Sequence, residues 1–364
     1  MLEKLVKEGT REIPPYLPGR SREEIAEEYS LDENEIIKLA SNENPLGPSP
    51  IAIDEIKKSL SEISTYPDPT ATELRTKISK YLDLDEESVV VGNGSDEIME
   101  LVFKTFLNPG EEVVIPIPTF PLYENLTKAY SGIPVLIPQD KGFQFDVDKI
   151  LEKINKKTKL VFICSPNNPT GSVILEEDLR KILKEELVVI LDEAYVEFAD
   201  RSLAGLVREY ENLVVLRTFS KAFGLAGLRV GYGLADKRII DYFLRVKLPF
   251  NVNILALRAA AGALEDRRFL EESIKTAKEG REFLFEELSK IDRVKVHPSK
   301  SNFLLIRLEL QKTSKEVTED LFKRGIIVRD CAHFKGLDGE FIRVSVGTME
   351  DNRRFLECLK EVLD

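Results

Sequence analysis

A chain of 364 residues is too long for one small core, and 43% hydrophobic with 32% charged residues is a globular balance, not a disordered or fibrous one. The formal charge of −12 argues against a nucleic-acid partner, and no apolar run approaches the roughly 18 residues of a membrane span. Two histidines in no triad or metal spacing and three scattered cysteines disfavour a Ser-His-Asp hydrolase, a zinc enzyme and a disulfide frame, and the charges interleaved through the N-terminal residues point to the cytoplasm.

Residues 1–30, marked by Pro14, Pro15 and Pro18, read as an arm ending in a short acidic helix. From Lys38 the chain is extended and broken by Pro45, Pro48 and Pro50. Six Val/Ile/Leu-rich runs follow: Ser88–Val91, Glu112–Ile117, Leu160–Cys164, Leu187–Leu191, Leu213–Leu216 and Arg229–Leu234. They are continuous rather than alternating, as strands covered on both faces are. The stretches between them, such as 96–107 and 176–183, carry apolar residues at helical spacing. Strand-helix alternation of this length predicts an α/β unit with a mainly parallel, doubly wound sheet. After Pro249 the pattern changes to helices over 253–264, 269–291, 314–324 and 349–363, mixed with strands over 303–308, 326–329 and 341–346. The expected division is an arm (1–30), a large cofactor-binding domain (45–250) and a smaller α+β domain built from 31–44 and 251–364.

Ligands of open α/β sheets bind beyond the carboxyl ends of the strands, so the residues after each run are the informative ones. The first run ends in Gly92-Asn93-Gly94-Ser95-Asp96-Glu97, which is either a phosphate cradle at a helix N-terminus or a helix capped by Ser95 or Asp96. The third ends in Ser165-Pro166-Asn167-Asn168-Pro169, a turn or a fixed hydrogen-bond donor. Asp192 follows five apolar residues; unpaired burial would be costly, so it faces a cation or a strong donor, a structural ion pair being the plainer alternative. Lys221 follows a buried strand among hydroxyls and small residues, with Arg229 eight positions on, a setting that lowers an amine's pKa and makes it nucleophilic toward carbonyls. A phosphorylated aromatic aldehyde with a basic ring nitrogen would use all of these groups.

The segments SNENPLGPSP, YPDPTATELR, GNGSDE, PTFPLY, PNNPTG, DEAYVEF, RTFSKAFGLAGLRVGYG, GIIVRD and FIRVSVGT resemble, in order and over essentially the whole chain, the fold-type-I pyridoxal-phosphate aminotransferases, and within them the histidinol-phosphate aminotransferase family. The resemblance implies pyridoxal 5'-phosphate carried as a Schiff base on Lys221, which also shuttles the proton, with Asp192 on the pyridinium nitrogen. Asn168 and Tyr195 would hold the ring's phenolate oxygen, and Phe120 would stack on the ring. Gly94, Ser95, Asp96, Thr218, Ser220 and Arg229 would hold the phosphate. Tyr66 would reach a neighbouring subunit's phosphate, implying a homodimer with shared sites. Arg343 and Arg329 would take substrate carboxylate and phosphate, Arg329 having a surface ion pair with Asp330 as its plainer alternative; Tyr16, Asn44 and Tyr123 are further candidate substrate contacts. The activity implied is amino transfer between histidinol phosphate, a small-molecule donor, and the 2-oxo acid 2-oxoglutarate. The alternatives are an aromatic or broad-range aminotransferase and a threonine-phosphate decarboxylase.

Overall fold

The computed structural model describes residues 2–15 and 19–364, so Tyr16 lies outside the described residues. The first strand, β1 (Ile37–Lys38), joins a small sheet formed with residues near the C-terminus. The large sheet holds β2 (Val89–Gly92), β3 (Glu112–Ile117), β4 (Ile133–Pro138), β5 (Thr158–Cys164), β6 (Val188–Asp192), β7 (Leu213–Thr218) and β8 (Gly231–Ala235). Their spatial order is β2-β8-β7-β6-β5-β3-β4. Pairing is parallel except at β8, which runs antiparallel to both β2 and β7. All six expected runs are strands; β4 is additional. Its Pro134 and Pro138 disguise it as a loop, and prolines are tolerated there because β4 lies at the sheet's edge.

The continuous apolar runs are explained by packing on both faces. Val89, Val91, Val189 and Leu191 enter one apolar layer, while Val90, Val188 and Ile190 enter the other. The helix Ile254–Ala263, expected in the smaller unit, sends Ala256, Ala259 and Ala260 into the first of these layers, against the helix Pro50–Ser59. Small side chains allow that close approach: a Cβ on Gly262 would come 2.9 Å from Glu55 Cγ.

The smaller unit is an antiparallel sheet of β9 (Val294–Val296), β10 (Phe303–Leu308), β12 (Arg329–Asp330) and β13 (Glu340–Ser345) in the order β12-β13-β10-β9, while β11 (Ile326–Ile327) pairs in parallel with β1. The single strand expected over 326–329 is thus divided between two sheets, Ile326 and Ile327 facing Ile37 and Lys38, and Arg329 facing Arg343. The helices Arg267–Leu288 and Met349–Leu363 cover this unit with Leu284, Leu288, Phe355 and Leu359. Among the described residues no helix is long and apolar enough to cross a membrane.

Candidate active site

A cavity of about 700 Å³ opens beyond the carboxyl ends of β5, β6 and β7, where it is walled by Asn168, Asp192, Lys221, Arg229, Arg329 and Arg343 among others. The direction of β8 assembles one side of it. Because β8 is antiparallel to both neighbours, Gly231 at its start faces Gly92 at the end of β2 and Thr218 at the end of β7. Three chain segments therefore meet at one edge, and a Cβ on Gly231 would lie 2.5 Å from the Ser95 nitrogen and 2.8 Å from the Arg217 carbonyl oxygen, so only glycine fits.

That edge is built to receive an anion. The helix Ser95–Phe106 starts at Gly94 (φ 81°) with no side-chain cap, so of the two alternatives the cap by Ser95 or Asp96 is not formed and the first-turn N–H groups stay open toward the cavity end. Arg229 Nη1 donates to Ser220 Oγ (3.3 Å) and Nη2 to Asp96 Oδ2 (3.1 Å), and a Cβ on Gly94 would sit 2.8 Å from Nη2. Thr218 Oγ1 accepts the Ser220 N–H at 3.0 Å, which fixes the turn leading to Lys221.

Asp192, 4% exposed, forms the floor. Its Oδ2 accepts from Tyr123 Oη at 2.6 Å and its Oδ1 from the Ala194 N–H at 3.0 Å. Among the described residues no cation pairs with it, so the structural ion pair is not what holds it. Burial pushes its carboxyl up to about 6, against the pull of the Tyr123 hydrogen bond. Lys221 Nζ donates to the Ser41 carbonyl (3.0 Å) and lies 5.7 Å from the centre of the Tyr195 ring. Burial, with the Arg343 charge, lowers this amine to about 8. In the cofactor-free protein, reductive labelling of Lys221 by a small aldehyde is expected to rise with pH to a midpoint near 8, because the neutral amine is the nucleophile. A midpoint at the ordinary lysine value of about 10.4 would show a solvated amine.

The segment 39–42 closes the floor from the other side. Arg343 Nη2 donates to the Ala40 carbonyl (2.6 Å), and its Nη1 donates to Asn168 Oδ1, which leaves the Asn168 amide nitrogen as a donor. Asn42 Nδ2 donates to Tyr195 Oη (3.1 Å), and the Asn42 N–H donates to Ser345 Oγ (2.8 Å). Phe120 lies on the wall, edge-on to Tyr123 at 5.8 Å. Arg329 stands at the mouth, and Asp330 is not its partner: that carboxylate accepts from Ser314 Oγ (2.8 Å) and the Ala332 N–H (3.0 Å).

Two expected substrate contacts are placed otherwise, and Tyr66, expected to serve a neighbouring subunit, lies away from this chain's own cavity. Asn44 is not on the cavity wall; its amide is spent on the Ala222 carbonyl (2.9 Å) and Ser273 Oγ (2.8 Å). Tyr123 reaches the cavity, but its hydroxyl is committed to Asp192. Tyr66 is 80% exposed, stacked on Phe250 at 4.5 Å, and remote from this chain's own cavity. Sequence reasoning passed over Asn42, two positions before Asn44, whose left-handed backbone (φ 55°) suits asparagine.

An open anion cradle, a buried carboxylate without a cation and a desolvated amine in one cavity fit a group that carries a phosphate, a basic nitrogen and a carbonyl. The sequence of the aminotransferase class I and II family matches residues 34–359. The chain belongs to the class I and II aminotransferases. Similar curated relatives are histidinol-phosphate aminotransferases of Methanocaldococcus jannaschii, 44% identical over 100% of this chain and 99% of that one, and of Methanosarcina mazei, 46% identical over 98% and 96%. Among solved structures, the histidinol-phosphate aminotransferase of Clostridium acetobutylicum is 32% identical with a TM-score of 0.85, covering 90% of this chain and 99% of that one. This aminotransferase is a pyridoxal-phosphate-dependent enzyme with the fold-type-I architecture.

Proposed function

We propose that this aminotransferase moves the amino group of histidinol phosphate to 2-oxoglutarate, giving the corresponding ketone phosphate and glutamate. The observation that carries the reading is a pair of guanidinium groups at two depths of one cavity, Arg343 (5% exposed) on the floor and Arg329 at the mouth, separate from the Arg229 cradle. Planar guanidinium groups suit both carboxylate and phosphate, the anions of this substrate pair. The relatives of M. jannaschii and M. mazei bear the name of that activity.

Gly94, Ser95, Asp96, Thr218, Ser220 and Arg229 would hold the cofactor phosphate, Asn168 and Tyr195 its ring oxygen, and Phe120 its face. When bound, pyridoxal phosphate supplies an aldehyde that accepts amino groups and a ring that withdraws electrons. Asp192 would keep a proton on the ring nitrogen, and its own burial would make that pairing strong. Lys221, with its lowered pKa, is able to take the proton from the donor's α-carbon and, in the second half-reaction, to give one to the acceptor's α-carbon. Burial of the floor excludes water from this transfer.

We read the active unit as a homodimer. Tyr66, exposed and stacked on Phe250, is available to a second copy's cradle rather than to its own. The three unpaired thiols, Cys164, Cys331 and Cys358, suit the reducing cytoplasm. Coupled turnover of histidinol phosphate with 2-oxoglutarate is expected to exceed that of phenylalanine or tyrosine by at least about 100-fold in kcat/KM, since only the phosphorylated donor makes the charge-assisted contact with Arg329. Equal rates for the aromatic donors, or carbon dioxide release from threonine phosphate, would reject the assignment.

A further inference from the structure

Arg329 is on β12, in register with Arg343, and the chain turns directly after it into the loop 331–339. Two residues of that loop are anchored. Phe334 is buried against Cys331, Leu305 and Phe341, and Lys335 Nζ reaches Glu124 Oε1 on the helix Leu122–Ala129 at 2.6 Å, across the mouth. Directly before those anchors stands His333, its ring against Phe334 (centroids 4.6 Å) and its Nε2 3.0 Å from Arg329 Nη2. A guanidinium has donors only, so Nε2 is the acceptor and the proton of the neutral ring is on Nδ1. Both His333 and Arg329 line the cavity.

We propose that His333 is a positioning residue for substrate binding: its Nε2 accepts from Arg329 and holds that guanidinium aimed into the mouth, where it meets the phosphate of the amino donor. The inference rests on the assignment of Arg329 to the donor phosphate. An arginine has several rotatable bonds, and a partner that fixes its planar head before the ligand arrives removes ordering from the binding step. The neutral ring does this without adding a competing anion, as the Asp330 carboxylate would. Burial and the Arg329 charge, joined by Arg343 and opposed by Asp330, lower the imidazole to about 4, so it stays an acceptor through the physiological range.

The test is steady-state kinetics of the holoenzyme variants His333→Ala, His333→Gln and Arg329→Gln, each with histidinol phosphate and with histidinol, the same donor without phosphate. His333→Ala is expected to raise KM for histidinol phosphate about tenfold, the effect of one hydrogen bond to a charged group, with kcat within about twofold and KM for histidinol unchanged. His333→Gln, which keeps an acceptor, restores most of the loss. An unchanged KM in His333→Ala, or an equal rise for both donors, overturns the positioning role. If Arg329→Gln loses the preference for the phosphorylated donor while His333→Ala keeps it, only this inference fails; if neither loses it, the assignment of Arg329 fails first and the inference with it.

Discussion

Lys221→Ala is expected to lower kcat by about ten-thousandfold, the upper range for loss of a positioned acid–base group, while the purified protein still retains pyridoxal phosphate through gel filtration. The two outcomes separate because they depend on different parts of the cavity. The cradle of Gly94, Ser95, Ser220 and Arg229 lies on the β2-β8-β7 edge and its hydrogen bonds do not involve the amine. Among the described residues the amine bonds only Ser41 O, so its removal breaks one contact and leaves that part-buried carbonyl to water. Turnover within tenfold of wild type would show that another group moves the proton. Loss of the cofactor together with a large drop in melting temperature would show that the lysine is structural.

The second large effect belongs to Asp192→Asn. The amide keeps the shape and can still meet Tyr123, but it removes the negative charge of the buried Asp192 carboxylate. We expect kcat to fall about 10²–10³-fold, the range for loss of a preorganised electrostatic contact. Stability of the cofactor-free protein should move the other way. The folded-state pKa of Asp192 is raised to about 6 from 3.8, so the fold binds the proton more tightly than the unfolded chain does. Its stability contribution is therefore intact below about pH 4, is lost as pH rises toward 6, and stays lost above that, on the order of 2–3 kcal/mol. Cofactor-free Asp192→Asn should then melt at or above wild type at pH 7.5, with the advantage vanishing near pH 4. A variant that melts well below wild type at pH 7.5 would mean that the carboxylate braces the floor rather than awaiting a cation.

The elements that place these groups were legible because they are governed by local rules. A continuous apolar run closed by Asp192 or by Thr218 signals a strand buried on both faces with its end at a ligand site, and both residues stand where that rule puts them. What escaped was set by tertiary context. β4 escaped because only its edge position makes Pro134 and Pro138 harmless. The break between Ile327 and Arg329 escaped because both halves look like one apolar strand until β1 claims the first of them. Asn42 and Asn44 are chemically equal in sequence; a positive φ turns the first to Tyr195, and Ala222 with Ser273 takes the second. Likewise Tyr123 is a substrate contact by its position after β3 and a partner of Asp192 by its rotamer, which no periodicity reveals.

The perch of the resting Lys221 amine, the Ser41 carbonyl, sits on a ribbon whose neighbours Leu39, Ala40 and Asn42 are tied to Ser345 and Arg343 of the smaller sheet. The lysine is thus moored to the far half of the molecule while rooted in the near one. Linkage then works in both directions. Whatever engages the amine unfastens one line between the halves, and whatever shifts the halves apart removes the burial and the Arg343 charge that hold the amine near 8, so the lysine's readiness depends on the two halves staying together.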